Sequence, residues 1–361
     1  MGEQVCPAEF PERSPLDGTF ELTVRCNLRC KMCLFRHKDS ENQMLCNQEL
    51  TADQWIDMGK QAAEAGTLNL LITGGEPMIR KDFCEIWEGL YQQGFMLQLY
   101  TNATRVTSQV MDTLRKFPPH KIGITIYGAS PETYEVVCGN ANGFFEMLDG
   151  VRQLKQLPSL IECRTTIIKE NFSDVDRIEE VVHRLLGKET VLTQTRTVMQ
   201  SVRGACADVR ECRLTPDENI RLYFRRELQE IERKVGHPLD LNKLQMKKIS
   251  KPEEVIRKQR LTLFYCDAGM SSYTITWDGM MQGCQILGSF RVNAVEKGLI
   301  NAWKEYPSIV EIPEENSQCQ NCGDKEFCSK CYAMSYAETG RLDGCPQYAC
   351  EDARVLKQYY Q

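Results

Sequence analysis

The sequence predicts an α/β protein in which a partial (β/α)6 TIM-type barrel is followed by a small cysteine-rich domain with short β-hairpins. Between residues 19 and 214, strand-like apolar runs alternate with amphipathic helical runs, which is typical of parallel β/α units. Six such units are too few for a complete eightfold barrel. After about residue 262 the pattern changes to hairpin-like runs, glycine turns and closely spaced cysteines.

The barrel units follow one another in strand–helix order after a polar lead-in at residues 1–18. The predicted strands are Phe20–Val24, Leu68–Thr73, Met96–Tyr100, Ile122–Tyr127, Ile161–Ile168 and Thr190–Thr195. The predicted helices are Thr51–Ala65, Asp82–Gln93, Ser108–Lys116 and Phe144–Leu157. Thr51 with Gln54 forms a capping-box pattern, and Pro131 after Ser130 is typical of a first helical turn. These signals place the barrel at residues 19–214.

The rest of the chain divides into two regions. Residues 215–261 are charged and helical in pattern, beginning at Thr215-Pro216-Asp217, and are predicted to form a helical linker. Residues 262–361 form the predicted cysteine-rich domain.

Composition excludes several classes of protein. The 361 residues include 18 cysteines and carry a net charge of −6, which argues against a nucleic-acid partner. No run of about 18 apolar residues and no secretory signal pattern is present, so we expect neither a membrane span nor export. The cysteines occur in close clusters that suit metal ligation better than a disulfide framework. We therefore expect a cytoplasmic protein.

The first cluster, Cys26, Cys30 and Cys33, directly follows the first predicted strand. Three thiolates in this loop can hold a [4Fe–4S] cluster and leave one iron with an open position, which is a site for reaction. The carboxyl ends of strands are also where β/α barrels keep their chemistry. The alternative is a zinc site of three thiolates completed by a residue such as His37.

The C-x3-C-x2-C motif resembles that of the radical S-adenosylmethionine (radical SAM) enzymes. Gly74-Gly75-Glu76-Pro77 resembles the family's GGEP element, and Thr101-Asn102-Ala103-Thr104 lies where many relatives have Thr-Asn-Gly-Thr. The resemblance implies that S-adenosylmethionine binds the open iron and yields a 5′-deoxyadenosyl radical. The cofactor contacts that it implies are Met32, Gly74, Gly75, Glu76, Asn102 and Thr125. Met32 replaces the usual aromatic residue, and Tyr127 stands where many relatives carry Asp.

The C-terminal cysteines resemble the SPASM extension of that family. Cys266 and Cys284 fit the pattern C-x12-G-x4-C. The next cysteines fit C-x2-C-x5-C-x2-C, whose last spacing is one residue shorter than the family's. The resemblance implies two auxiliary [4Fe–4S] clusters, which makes three clusters in all. The first auxiliary cluster would be held by Cys266, Cys284 and Cys331, and the second by Cys319, Cys322, Cys328 and Cys350. Cys345 could complete the first cluster, or that cluster could be open to substrate. Zinc ribbons are the alternative.

The resemblance indicates the initiation chemistry better than the substrate. SPASM relatives mostly modify peptides, so the expected function is hydrogen abstraction from a peptide to give a crosslink or an epimer. Gln285 replaces an Asp that serves as general base in sulfatase-maturating relatives, which argues against formylglycine formation. The alternatives are a radical dehydrogenase or epimerase of a small molecule such as a sugar or aminocyclitol, and a non-catalytic iron–sulfur electron carrier.

The expected partners follow from the same resemblance. Only about 18 residues precede the first predicted strand, so a leader-recognition domain would lie on a separate protein, or the substrate would be small. A reductase, flavodoxin or ferredoxin would supply electrons. The sequence does not identify which residue acts as catalytic acid, base or hydrogen donor.

Overall fold

The computed structural model describes residues 13–200, 208–237, 263–264 and 266–359. Six strands of the barrel all pair in parallel in the sequential order that the alternating pattern predicts. They are β1 (Asp17–Glu21), β2 (Asn69–Thr73), β3 (Met96–Thr101), β4 (Lys121–Thr125), β5 (Leu160–Thr166) and β6 (Leu192–Thr195). The partial six-stranded barrel is therefore confirmed.

Helices cover one face of this sheet. They are α1 (Asp39–Cys46), α2 (Ala52–Glu64), α3 (Phe83–Tyr91), α4 (Ser108–Lys116), α5 (Pro131–Cys138), α6 (Gly143–Leu154) and α7 (Val175–Leu186). Thr51 and Gln54 form the predicted capping box of α2. Pro131 occupies the first turn of α5, after Ser130, whose hydroxyl accepts the Thr133 N–H. Both predicted helix starts are confirmed.

The first strand lies three residues earlier than predicted at each end, at residues 17–21 instead of 20–24. Apolar alternation continues past its end, since Leu22 and Val24 are also buried. Leu22 N–H still donates to Thr73 O at 2.9 Å, which extends the contact with β2 without forming a paired strand. The apolar pattern alone therefore predicted the strand three residues too far toward the C-terminus.

The two faces of the sheet differ in polarity. Phe20, Ile72, Leu99 and Ile122 lie in successive register positions and are fully buried. The Phe20 ring packs 5.1 Å from Trp55 of α2, so this row faces the helices. Strand residues alternate between faces, so the opposite face carries Glu21, Tyr100, Thr125 and Arg164. The inner side of the barrel is thus lined by polar groups.

The C-terminal region joins the same sheet. Its strands are β7 (Ser272–Ile275), β8 (Met280–Gln282) and β9 (Val292–Asn293). β7 pairs in parallel with β1, and β8 and β9 follow it antiparallel, so the nine-stranded order is β6-β5-β4-β3-β2-β1-β7-β8-β9. The predicted short hairpins therefore form, and they extend the barrel sheet beyond β1.

Helices of the remaining chain connect the barrel to the cysteine-rich region. They are α8 (Val209–Cys212), α9 (Pro216–Val235), α10 (Ala294–Lys297), α11 (Leu299–Ile309), α12 (Ser317–Gln320), α13 (Tyr332–Thr339) and α14 (Gln347–Gln358). Arg213 before α9 pairs with Glu338 of α13 at 2.5 Å and stacks 4.0 Å over the Tyr348 ring of α14. Helix α9 lies within the predicted linker, whose residues 238–261 are outside the described residues. No helix in the described ranges is long and apolar enough to cross a membrane.

Candidate active site

The first cysteine loop is held against the end of helix α5. Arg29 N–H donates to Cys138 O at 2.7 Å, and Lys31 N–H donates to Val137 O at 3.0 Å. These bonds use carbonyls at the C-terminus of α5, which have no partner within the helix. The loop is thereby fixed above the carboxyl end of β1.

Two thiols of the loop accept backbone hydrogen bonds. Leu28 N–H donates to Cys26 Sγ and Phe35 N–H donates to Cys33 Sγ, each at 3.4 Å. Burial, together with the neighbouring Cys30, raises the pKa of Cys33 to about 11. Without a metal these are protonated thiols, whereas N–H donors stabilise the thiolate form that an iron–sulfur cluster requires.

Gly74 and Gly75 lie directly against the chain that leads into the cysteine loop. Gly75 N–H donates to Thr23 O at 2.8 Å, and Glu76 N–H donates to Arg25 O at 2.9 Å. A Cβ at Gly75 would lie 2.1 Å from Arg25 O, and one at Gly74, whose φ is +140°, would lie 2.6 Å from Thr23 O. Both contacts are with backbone, so glycine is required at each position.

Glu76 is completely buried and connects β2 to β3. Its carboxylate accepts hydrogen bonds from the Thr101 hydroxyl, Asn102 N–H at 2.8 Å and Met78 N–H at 3.2 Å. Burial raises its pKa to about 7, although these hydrogen bonds act in the opposite direction. Glu76 is thus the acceptor around which the loops after β2 and β3 are arranged.

Asn102 connects this arrangement to the cysteines. Its Nδ2 lies 3.7 Å from Cys26 Sγ and donates to Asn27 Oδ1 at 3.2 Å. Its Oδ1 accepts from both the N–H and the hydroxyl of Thr104. The structure therefore gathers the first cysteine loop, the glycine pair, Glu76 and Asn102 in one site. Asn27 and Thr104 are members that sequence analysis did not assign.

The other two predicted cofactor contacts are placed differently. Met32 is 6% exposed and packs in the hydrophobic core, where its thioether is one of the buried apolar groups. Thr125 ends β4 on the inner face and is paired in register with Arg164 of β5.

Arg164 is a cation on the inner face that sequence analysis missed. It donates to the Tyr100 hydroxyl at 2.7 Å and pairs with Glu162 at 3.1 Å, while its guanidinium lies 4.0 Å over the Tyr100 ring. Its Nε is buried and has no hydrogen-bond partner among the described residues. The sequence signal for this site was an arginine in the middle of a predicted strand. Its inward position could be recognised only once the strand register was known.

Two cavities adjoin the cysteine loop. One of about 80 Å³ is lined by residues that include Cys26, Cys33 and Gly75. A larger one of about 310 Å³ extends from Gly74 to Trp277 and Asp278 of the β7–β8 hairpin and to Arg291, which precedes β9. Val24, Phe35 and His37 border both cavities. His37 therefore lies beside the loop, as the zinc alternative requires, but its imidazole is 3.7 Å from the Glu41 carboxylate.

The C-terminal cysteines form two groups. Burial raises the pKa of Cys284, and the neighbouring Cys331 and Cys266 raise it further, so these three thiols form the first group. In the second group, Cys319 Sγ lies 2.9 Å from Cys345 Sγ, and Cys345 also hydrogen-bonds Cys350. Burial raises the pKa of Cys328, and the neighbouring Cys350 and Cys319 raise it further. Cys328 therefore belongs to the same group. Cys322 is exposed, and its sulfur accepts the Asp324 N–H at 3.4 Å.

The donor sets suit iron–sulfur clusters better than single ions. In the described part of the chain, no three His, Cys, Asp or Glu side chains converge where one metal ion would fit. A four-iron cube is larger, and its thiolates are spread around its corners. Met334 N–H donates to Cys331 Sγ at 3.4 Å, and backbone N–H groups also reach the sulfurs of Cys266 and Cys284. Sulfur donors that accept backbone hydrogen bonds fit such a cluster.

Residues 20–182 match the family described as the radical SAM superfamily. Over 330 residues the chain is 24% identical to the AdoMet-dependent heme synthase of Methanosarcina barkeri, covering 89% of this chain and 92% of that protein. It is 26% identical over 174 residues to the PqqA peptide cyclase of Rhizobium meliloti, which is 47% of this chain and 44% of the cyclase. Both relatives are named as enzymes.

Solved structures share the fold. SuiB of Streptococcus suis bound to S-adenosylmethionine superposes with a TM-score of 0.68 at 15% identity, covering 94% of this chain and 77% of SuiB. Native anSMEcpe with bound AdoMet gives a TM-score of 0.65 at 13% identity, covering 96% of each chain. The chain therefore has the fold of these structures, and the family that matches residues 20–182 implies a [4Fe–4S] cluster and S-adenosylmethionine.

Proposed function

We propose that this chain is a radical SAM enzyme that abstracts hydrogen from a peptide substrate. The match of residues 20–182 to the radical SAM superfamily supports the initiation chemistry. The product would be a crosslinked or epimerised peptide. The observation that carries this proposal is the single site formed by the cysteine loop, Gly74-Gly75, Glu76 and Asn102, at the carboxyl ends of β1 to β3.

When bound, the cluster and S-adenosylmethionine supply a 5′-deoxyadenosyl radical. Cys26, Cys30 and Cys33 would hold the cluster. The carboxylate of Glu76 and the backbone beside Gly74 and Gly75 would orient the methionyl end of the cofactor. The polar inner face would accept its remaining polar groups and those of the substrate.

Arg164 and Thr125 are suited to an anionic part of the cofactor. They are register partners on the inner face, and Arg164 Nε has an unused hydrogen-bond donor in the described structure. A guanidinium binds a carboxylate through charge-assisted hydrogen bonds. We assign Arg164 to the methionyl carboxylate of S-adenosylmethionine.

A peptide substrate is supported by what the similar proteins bind. SuiB has been solved with its precursor peptide SuiA, and anSMEcpe with a peptide named Kp18Cys. The 310 Å³ cavity offers Asp278 and Arg291, which pair at 3.1 Å, for contacts with such a substrate. A separate leader-recognition protein and a flavodoxin- or ferredoxin-type electron donor remain part of the proposal.

The C-terminal region would be a SPASM domain with two auxiliary [4Fe–4S] clusters. Cys284 has Cys331 and Cys266 as neighbours, whereas Cys319 contacts Cys345, and two such sets of thiols support two clusters. The hairpin that precedes Cys284 is part of the barrel sheet, so the first group is fixed relative to the first cysteine loop.

The second candidate function is radical oxidation of a non-peptide molecule. It is favoured by the match to a heme synthase, which spans 89% of this chain, whereas the peptide cyclase matches 47%. The candidates differ in substrate and share the initiation chemistry.

Mass spectrometry separates the candidates. Anaerobically reconstituted, reduced enzyme with S-adenosylmethionine would be incubated with short Cys-containing peptides, and in parallel with a tetrapyrrole. A mass loss of about two hydrogens in a peptide indicates a crosslink or dehydrogenation, and deuterium uptake from solvent indicates epimerisation. Turnover of the tetrapyrrole with all peptides unchanged would favour the second candidate.

A further inference from the structure

Glu49 lies in the short loop between α1 and α2, outside the segments that sequence analysis assigned to the site. Its side chain is only 5% exposed, although carboxylates are rarely buried unless they are paired. Burying a charge is costly unless it is also hydrogen-bonded, so the partners of this carboxylate indicate what it holds in place.

The Glu49 carboxylate holds the three residues that directly precede Cys26. One oxygen, Oε1, accepts the Val24 N–H at 3.1 Å and the Thr23 hydroxyl at 2.5 Å. The Thr23 hydroxyl in turn accepts the Arg25 N–H at 3.0 Å. The other oxygen, Oε2, accepts a hydrogen bond from the Arg25 guanidinium at 2.8 Å. One side chain therefore fixes the chain that enters the first cysteine loop.

The carbonyls of the same residues receive the glycine pair and its neighbour. Thr23 O accepts the Gly75 N–H at 2.8 Å, and Arg25 O accepts the Glu76 N–H at 2.9 Å. A displacement of Thr23 and Arg25 would therefore move Gly75 and Glu76 as well. The position of the loop after β2 relative to the cysteine loop thus depends on Glu49.

Arg80 holds Glu49 from within the protein. Its side chain is 4% exposed, and its Nη1 lies 3.6 Å from Glu49 Oε2. The same guanidinium donates to Leu22 O at 2.7 Å and to Leu50 O at 2.9 Å. It also forms a bidentate pair with Asp82, at 2.8 and 2.6 Å. A planar guanidinium bound at this many points is rigid, so it gives the carboxylate a fixed position.

We infer that Glu49 is a positioning residue for the proposed S-adenosylmethionine site. It acts through Thr23 and Arg25 on Gly75 and Glu76, which are proposed to orient the methionyl end of the cofactor. Glu49 is not among the described residues that line either cavity beside the cysteine loop, so its effect on the cofactor is indirect. The role in cofactor binding rests on the proposed function, whereas the contacts of Glu49 stand without it.

Glu49→Gln keeps the size of the side chain and removes its charge. One acceptor oxygen becomes an N–H donor, which faces the guanidinium groups of Arg25 and Arg80, and these also carry only donors. We therefore expect the variant to release Thr23 and Arg25.

Amide hydrogen exchange measures this release without S-adenosylmethionine. Full-length, anaerobically reconstituted wild type and Glu49→Gln are compared by mass spectrometry of fragments that contain residues 74–78. Exchange at Gly75 and Glu76 should become about 10-fold faster or more, because the carbonyls that accept their N–H groups are no longer held. Fragments from β4 should exchange at the wild-type rate. Unchanged exchange at residues 74–78 would overturn the inference, as would equal acceleration in β4.

Glu338→Gln is the matched control. Glu338 pairs with Arg213 at 2.5 Å, and both side chains are 11% exposed, so its burial and its type of partner are similar to those of Glu49. It lies on α13 of the C-terminal region. The control should leave exchange at residues 74–78 unchanged, and an equal increase in both variants would contradict a specific role for Glu49.

Thr23→Val and Thr23→Ser test the same contacts if Glu49→Gln does not fold. Val removes the hydroxyl between Glu49 and the Arg25 N–H, whereas Ser keeps it. Thr23→Val should raise the dissociation constant for S-adenosylmethionine, measured by equilibrium dialysis, by about 10-fold or more, because the site must then be ordered on binding. Thr23→Ser should restore the wild-type value, and equal constants for the two variants would overturn the inference. Wild-type protein that binds no S-adenosylmethionine would instead overturn the proposed function, which the exchange measurement does not require.

Discussion

The Thr101 hydroxyl lies 2.9 Å from both carboxylate oxygens of Glu76. This contact joins the end of β3 to the loop after β2, and both residues are buried. Because Asn102 follows Thr101 and approaches Cys26, the contact also sets the distance between the cofactor-binding loops and the first cysteine loop.

Replacing Thr101 with Val keeps the shape of the side chain and removes its hydroxyl. The buried Glu76 carboxylate then loses a donor, which should lower the free energy of unfolding by about 1–3 kcal/mol. Urea denaturation of the reconstituted protein under argon measures the change. Thr193→Val, at an exposed position on β6, is the matched control and should change stability by less than about 0.5 kcal/mol. Equal effects of the two variants would contradict the assigned role.

Glu76 predicts a pH dependence of stability. Its pKa is raised from 4.5 to about 7, so between these values the folded protein keeps a proton that the unfolded chain releases. The contribution of Glu76 to the free energy of unfolding therefore falls as the pH rises from 4.5 to 7, and is constant above. Glu76→Gln removes this contribution. The variant should gain stability relative to wild type between pH 5 and pH 7 in denaturation midpoints, and a constant difference would contradict the prediction.

Gly75→Ala tests the close approach of the glycine pair. The added Cβ would lie 2.1 Å from the Arg25 carbonyl oxygen, so the chain entering the cysteine loop must move. We expect loss of S-adenosylmethionine cleavage, measured as 5′-deoxyadenosine formed by the reduced enzyme. Gly94→Ala is the control for backbone strain alone, because Gly94 has φ +88° and a Cβ there meets nothing within 4 Å. Retained cleavage in Gly75→Ala would show that the loop tolerates displacement.

Replacing Cys26, Cys30 and Cys33 together with Ala should abolish 5′-deoxyadenosine formation. It should also remove about a third of the roughly twelve irons that three clusters hold. Iron analysis and chromatography of the nucleoside check both outcomes, with Cys84→Ala as the control. Zinc as the main metal in wild-type protein would be incompatible with the proposed clusters.

Arg164→Gln tests whether the cation on the inner face binds S-adenosylmethionine. Removing the charge should weaken binding of S-adenosylmethionine by about 10-fold or more, corresponding to one charge-assisted hydrogen bond. Equilibrium dialysis with the reconstituted enzyme measures the dissociation constant. Arg152→Gln, on the exposed face of α6, should leave it unchanged. An unaltered constant in Arg164→Gln would assign Arg164 to structure alone, through Tyr100 and Glu162.

Short-range sequence patterns were enough to predict the barrel strands and the segments of the candidate site. The alternation of apolar runs predicted six parallel strands, because strand and helix periodicities depend on neighbouring residues. The spacing of Cys26, Cys30 and Cys33 and the family resemblance of Gly74-Gly75-Glu76 predicted segments that the structure brings together, because a loop that wraps a cluster needs its ligands close in sequence. The pattern failed at β1, where buried Leu22 and Val24 continue the alternation past the last paired residue.

Only the tertiary structure decided how distant segments meet. Parallel pairing of β7 with β1 joins residues about 250 positions apart, and no local signal specifies such a register. Arg164 became a candidate once the sheet placed it beside Thr125 on the inner face. Cys345 is 26 positions from Cys319, with helix α13 between them in the chain, yet their Sγ atoms lie 2.9 Å apart. Sequence separation does not measure distance once a rigid helix intervenes.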